Sequence, residues 1–221
     1  WAADLSEVPA GVPLILIANE LLDCLPARQF VRTDRGWAER MVGVSGDALA
    51  FGLAPLPTPP AADLPDGPPG EVLEISPAQA AFGQRVAERI VADGGAALLI
   101  DYGRDEPGFG DTLQALRAHE KVDPLAGPGE ADLTVHVDFP TVLAAARKAG
   151  AQTACLTQGE FLRRLGIEHR AATLAKAHPT RADTLARQLD RLVAPDQMGA
   201  LFKVACIHAP GLVPPGFEEA T

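Results

Sequence analysis

Two short runs of branched apolar residues constrain this chain most: Leu14–Ala18 (LILIA) and Ala96–Ile100 (AALLI). Each stops abruptly, the first at Asn19-Glu20 and the second at Asp101-Tyr102-Gly103. Continuous runs of this length suit strands buried on both faces, as in a parallel sheet covered by helices. Thr153–Leu156 reads as a third such strand, and Leu201–Ile207 (LFKVACI) as a fourth with less clean alternation. Helical periodicity falls between them. Pro77–Val91 carries Ala78, Ala81, Phe82, Val86 and Ile90 at spacings of three and four, after a Ser76-Pro77 start signal. Thr141–Ala149 and Gly159–Leu165 are short helices stopped by Gly150 and Gly166, and Thr180–Val193 places Leu185, Leu189, Leu192 and Val193 on one face. Strands alternating with helices predict an α/β fold with a mainly parallel, helix-covered sheet.

Residues 28–53 break this alternation with the β-prone pieces QFVRT, AERMVGV and ALAFGL. Turn signals at Asp34-Arg35-Gly36 and Ser45-Gly46-Asp47 separate them, which predicts an antiparallel β insertion. Seven prolines follow between residues 55 and 70, and they predict an extended, exposed, mobile linker. The expected organisation is therefore a core of residues 1–27 and 71–221, with the insertion and proline-rich loop at 28–70.

Composition narrows the function. With 19 Lys and Arg against 29 Asp and Glu, the net charge is −10, opposite in sign to the basic footprint of a nucleic-acid binder. The three cysteines, Cys24, Cys155 and Cys206, form neither a disulfide framework nor a zinc spacing. No apolar run approaches the roughly 20 residues of a membrane span.

Ligands of open α/β sheets bind beyond the carboxyl ends of the strands, so the strand ends are the candidate sites. After the first strand, Glu20 and Asp23 are spaced to face one side of a helical turn, where paired carboxylates bind a guanidinium or share acid–base work. The plainer reading makes Asn19 a cap and Asp23 a solvated side chain. At the second strand end, Asp101 precedes Tyr102, the one tyrosine of the chain. Tyr102 suits stacking, a hydrogen bond or simple packing. His119, His136 and Asp138 could supply two imidazoles and a carboxylate to zinc or iron, the basis of a metal-dependent hydrolase alternative. His136 and Asp138 on an extended segment equally suit a structural hydrogen bond, and the expected metal content is none. No GxSxG, GxGxxG or P-loop pattern occurs.

Six blocks occur in order: ANELLDCLP (18–26), DYG (101–103), GDTL (110–113), DLTVHVDF (132–139), TQGEFL (157–162) and MGALFKV (198–204). Together they resemble the MidA-like family of class I S-adenosylmethionine-dependent methyltransferases. That family includes the mitochondrial complex I assembly factor that methylates an arginine on a core subunit. The sequence departs from the family at Leu21-Leu22, where aromatic residues are usual, and at Cys24, where a small one is.

The resemblance implies a partial Rossmann-like sheet. LILIA resembles the family's fourth strand, so the first three strands and the glycine-rich cofactor turn are expected upstream of Trp1. It implies S-adenosylmethionine as cofactor, with Asn19 beside the methyl donor. Glu20 and Asp23 would bind the guanidinium, and Asp101, Tyr102, His136 and Asp138 would line the substrate channel. Gln158 and Lys203 would support the fold. The implied partner is an arginine-bearing protein, such as a homologue of a complex I core subunit, with no nucleic acid and no membrane span. The alternative in another class is a non-catalytic assembly or scaffold protein. Alanine-, glycine- and proline-rich composition suggests a bacterial source, and the absence of a visible signal peptide suggests the cytoplasm.

Overall fold

In a computed structural model the described residues are 1–56 and 64–218. The main sheet contains β1 (Leu14–Asn19), β6 (Gly95–Arg104), β12 (Phe202–His208) and β11 (Gln152–Thr157) in that spatial order, and β10 (Val137–Asp138) also pairs with β6. β1 and β10 run parallel to β6, whereas β12 is antiparallel to both β6 and β11. The sheet is therefore mixed, which corrects the mainly parallel expectation. The reversal has a topological cause. The chain leaves β11 at Thr157, makes a helical excursion, and re-enters as β12 with Lys203 opposite Thr157, so it starts back from the end it left. All seven residues of β12 are buried, as befits a strand paired on both sides.

Helices α1 (Pro77–Asp93) and α2 (Phe139–Lys148) cover one face. Val86, Ala87 and Ile90 of α1 and Val142, Leu143 and Ala146 of α2 pack with Ala97, Leu99, Ala205 and Ile207 of the sheet. The buried face of α1 is Gln79, Gly83, Val86, Ala87 and Ile90, rotated from the sequence expectation, and Ala81 is exposed. Two requirements turn it. Gly83 lies so close to α2 that a Cβ there would meet the Val142 carbonyl oxygen at 2.8 Å. Gln79 spends its amide on hydrogen bonds inside the fold, to the Leu22 carbonyl at 3.0 Å and from the Asp138 N–H at 3.2 Å.

β1 is not buried on both faces. Leu14, Leu16 and Ala18 turn to the core, but Ile15 and Ile17 are 83% and 67% exposed. The strand lies at the sheet edge near residues 14–18, and the helices of the core cover one side of it.

The insertion forms a second, antiparallel sheet: β4 (Ala48–Pro55), β3 (Gly36–Ser45), β2 (Arg28–Thr33) and β5 (Val72–Ile75), in that order. Its fourth strand lies beyond the proline-rich segment. Residues 57–63, the middle of the expected linker, lie outside the described residues. The part after them is pinned along β2. Trp37 Nε1 donates to the Pro65 carbonyl at 3.1 Å, Arg32 Nε to Gly67 at 3.2 Å, and the Gly70 N–H to Arg32 at 2.8 Å. Prolines lack N–H donors but keep carbonyls, and those carbonyls and the intervening residues do the anchoring.

A small third sheet joins β7 (Gln114–Arg117), β8 (Glu120–Val122) and β9 (Asp132–Thr134). The excursion between β11 and β12 holds α3 (Gln158–Arg164), α4 (Ile167–Ala177), α5 (Ala182–Val193) and α6 (Met198–Leu201). The sequence pattern predicts no helix at α4, which buries no residue fully and packs only Ile167, Ala171, Leu174 and Ala175 half-buried along one side, a stripe in which alanines weaken the apolar signal.

Candidate active site

The carboxyl ends of β1 and β6, the start of β12 and the end of β11 share one end of the sheet. At that end the chain turns out of β1 at Glu20, whose φ of +48° is in the left-handed region that non-glycine residues seldom occupy. The conformation is imposed from both sides: the Glu20 N–H donates to Ile100 at 2.9 Å, and the next N–H is claimed by Asp101. Backbone strain held in this way clusters at functional sites.

Asp101 organises the loop. It is completely buried, and its Oδ2 accepts the backbone N–H groups of Leu21, Leu22 and Asp23 at 3.2, 2.9 and 3.3 Å. Its Oδ1 accepts the Tyr102 N–H at 2.9 Å. A carboxylate is the acceptor-only group that four converging donors require. Burial, with the charge of nearby Asp23, pushes the Asp101 carboxyl up to about 6, against the pull of those donors. Further bonds close the loop. The Asp23 carbonyl accepts from the Val135 N–H at 3.0 Å, and the Pro26 carbonyl accepts from Ser76 Oγ at 2.8 Å.

The Tyr102 hydroxyl donates to Asp23 Oδ2 at 2.5 Å. Asp23 is only 6% exposed, so the solvated reading does not hold for it. Burial, then the bond to Asp23, raises the Tyr102 phenol far above its ordinary range, so it stays a donor at neutral pH. Its ring meets His136 and Phe202 edgewise, each with centroids 5.5 Å away. Burial pushes His136 down, which keeps its imidazole neutral.

Glu20 and Asp23 leave β1 together, but they do not share a helical turn. Glu20 is exposed and accepts from Asn19 Nδ2 at 3.2 Å, while Asp23 is drawn inward to Tyr102. Asp138 is placed elsewhere. It caps α2 by accepting the Thr141 N–H at 3.1 Å and pairs with Arg104 at 2.8 Å, on the wall of a cleft of about 520 Å³. His119 is exposed in the turn between β7 and β8. Among the described residues no three His, Cys, Asp or Glu side chains gather to hold a metal ion, so His119, His136 and Asp138 form no such triad. Gln158 is buried with its amide on the Leu192 carbonyl at 2.9 Å, and Lys203 Nζ donates to Ala200 at 2.6 Å and lies 3.6 Å from Asp105.

Sequence reasoning missed the polar joint behind His136. The Thr112 hydroxyl accepts the His136 N–H at 2.8 Å and donates to Glu74. Glu74, buried in β5, also accepts from the Thr112 N–H at 2.9 Å and from Gln29 Nε2 at 2.7 Å. Arg40 of β3 then grips both oxygens of Asp111 at 2.9 Å. The insertion sheet is thereby hydrogen-bonded to the segment beside Tyr102. The available signal was Gln29 and Glu74 within strand-like runs, where a buried polar residue needs a partner. For Phe202 the signal was its place at the start of the last apolar run.

The family described as "Putative S-adenosyl-L-methionine-dependent methyltransferase" matches residues 1–157. The chain belongs to this family. The matched span holds the Asn19–Pro26 loop, the insertion, Asp101, Tyr102 and His136, and it ends with β11. Mouse mitochondrial protein arginine methyltransferase NDUFAF7 is 37% identical over 207 residues, covering 91% of this chain and 47% of its own length. The Drosophila melanogaster homolog is 35% identical over 228 residues, covering 96% and 51%. The chain thus spans about half the length of the curated relatives it matches. A crystal structure of an uncharacterized Burkholderia thailandensis protein superposes with a TM-score of 0.83 at 28% identity, covering 98% of this chain and 59% of that one. A second from the same organism, bound to S-adenosyl-homocysteine, gives 0.79 at 27% identity, covering 98% and 57%. Family membership and the α/β fold with its mixed sheet are thus consistent. No helix among the described residues is long and apolar enough to cross a membrane.

Proposed function

We propose that this chain is the substrate-orienting part of an S-adenosylmethionine-dependent protein arginine N-methyltransferase. The observation that carries the reading is the pinned loop after β1, which presents one exposed and one buried carboxylate, Glu20 and Asp23, at the ligand end of the sheet. The names of the NDUFAF7 relatives support an arginine substrate, and the bound S-adenosyl-homocysteine of the Burkholderia structure supports the cofactor.

Two carboxylates with fixed backbones bind guanidinium N–H groups and draw the positive charge away from the nitrogen that attacks. Alignment then supplies most of the rate. The exposed Glu20 carboxylate would receive the proton that the methylated nitrogen gives up. Asn19, polar at the mouth of β1, would lie beside the methyl donor S-adenosylmethionine, which when bound supplies a methyl group activated on sulfonium. The remaining contacts to the cofactor are not assigned to these residues. The insertion sheet, joined to the His136 segment through Glu74 and Thr112, is the part proposed to read the protein substrate, such as a complex I core subunit homologue. A bacterial cytoplasmic setting belongs to this reading.

One observation favours the non-catalytic assembly reading. The β3–β4 hairpin exposes Val42, Val44, Leu49, Phe51 and Leu53 in cross-strand register, a surface suited to a partner. The two readings separate in an assay of the full-length protein with radiolabelled S-adenosylmethionine and arginine-bearing protein. The enzyme reading expects labelled arginine and a loss of about 100-fold or more in Glu20→Gln or Asp23→Asn. Partner binding without label incorporation, or wild-type turnover in both variants, counts against it.

A further inference from the structure

Asp23 is held from three directions. Its N–H is taken by Asp101, its carbonyl by the Val135 N–H, and its Oδ2 by the Tyr102 hydroxyl. The holder is itself held. Tyr102 meets His136 and Phe202 edgewise, and its backbone N–H is bonded to Asp101. One oxygen of Asp23 therefore already accepts a hydrogen bond from a donor that stays protonated at neutral pH.

We infer that Tyr102 is a positioning residue: its hydroxyl competes for one oxygen of Asp23, so that this carboxylate favours a single N–H of the substrate guanidinium over a two-bond grip. The inference rests on the proposed reading of Asp23 as a guanidinium ligand. An unblocked carboxylate grips guanidinium with two parallel bonds, the favoured geometry of that pair. Such a grip fixes the plane of the guanidinium against Asp23 alone. With Oδ2 already engaged by Tyr102, the plane is set by Asp23 together with a second acceptor, and Glu20, exposed three residues earlier, is the candidate. The cost is weaker binding, and the gain is a nitrogen turned out of the Asp23 grip.

The two effects move in opposite directions when the competing hydroxyl is removed, which no general loosening of the site would produce. In the full-length protein loaded with S-adenosyl-homocysteine, Tyr102→Phe should bind a Gly-Arg-Gly peptide amide about threefold to tenfold more tightly by calorimetry. With S-adenosylmethionine its kcat on the same peptide should fall about tenfold. Unchanged or weaker binding overturns the inference. Asp23→Asn is measured alongside: if it binds the peptide like wild type, the reading of Asp23 itself fails, whatever Tyr102→Phe does. If Asp23→Asn abolishes binding while Tyr102→Phe leaves it within twofold, only the positioning role is lost. Should Tyr102→Phe not fold, Tyr102→Met, which also removes the hydroxyl and keeps an apolar side chain against His136 and Phe202, carries the test with the same expected directions and the same overturning result.

Discussion

Asp101 and Leu22 are joined by a buried hydrogen bond, side-chain oxygen to backbone N–H, at 2.9 Å across 79 residues of sequence. That bond and its two neighbours convert the end of β6 into the mould for the loop after β1, so the geometry of Glu20 and Asp23 is set by a residue on another strand.

The carboxyl of Asp101 links this mould to pH. Its folded value of about 6 is above the unfolded 3.8, so the native state holds the extra proton between them. Its contribution to stability is full below about pH 4 and is lost as pH rises through about 6. Relative to Asp101→Asn, the wild type should gain on the order of 3 kcal/mol on going from pH 7 to pH 4. Urea unfolding of both proteins across that range checks it, and parallel pH profiles would contradict the assignment.

At Gly103 the constraint is steric. A Cβ would sit 2.2 Å from the Val137 carbonyl oxygen, so Gly103→Ala must push β10 away from β6. A loss of about 2 kcal/mol or more is expected. Gly108→Ala is the control, because a Cβ there meets nothing within 4 Å. Thermal unfolding should separate the two, and equal melting temperatures would show that the close approach is not required.

The three thiols should differ in reactivity. Burial raises Cys155 to about 11 and Cys206 to about 12, whereas Cys24 is exposed on the Asn19–Pro26 loop. A thiol reagent at pH 8 should modify Cys24 quickly and the other two only on unfolding. Mass spectrometry after a short pulse reads this directly; rapid double labelling would mean that the sheet opens.

The exposed face of β1 and the buried face of β6 predict contrasting substitutions within the 221-residue chain. Ile17→Lys, on the exposed face, should change stability by no more than about 0.5 kcal/mol. Leu99→Ala, at 0% exposure opposite α1 and α2, should cost about 2–5 kcal/mol. Chemical denaturation of both checks the pair.

Much of this fold was legible because strands and helices write periodic patterns. Helix α1 begins where Ser76-Pro77 announced it, and its Ser76 side chain accepts the Gln79 N–H at 3.1 Å. The insertion hairpins were legible for a related reason, since turn residues punctuate alternating strands. What escaped reading depends on partners distant in sequence. The same LILIA pattern serves a doubly buried strand or an edge strand, and only the neighbours decide between them. The direction of β12 was equally invisible, because an apolar run does not encode which way it is threaded. At the candidate site, the strand ends pointed to Glu20, Asp23, Asp101 and Tyr102, which the structure brings to one end of the sheet. Their linkage was not readable, since a residue such as Gln79 or Glu74 reveals its role only through bonds to segments far along the chain.

The meeting of Thr157 and Lys203 across the β11–β12 ladder has an evolutionary consequence. Everything between them leaves and returns through one hydrogen-bonded doorway, so its length is uncoupled from the sheet. Doubling such a loop costs only about 0.6 kcal/mol in closure entropy. The outer helices α4 and α5 can therefore be enlarged, shortened or exchanged as a cartridge, while α3 and α6, which pack on the sheet, and the strands beneath keep their register.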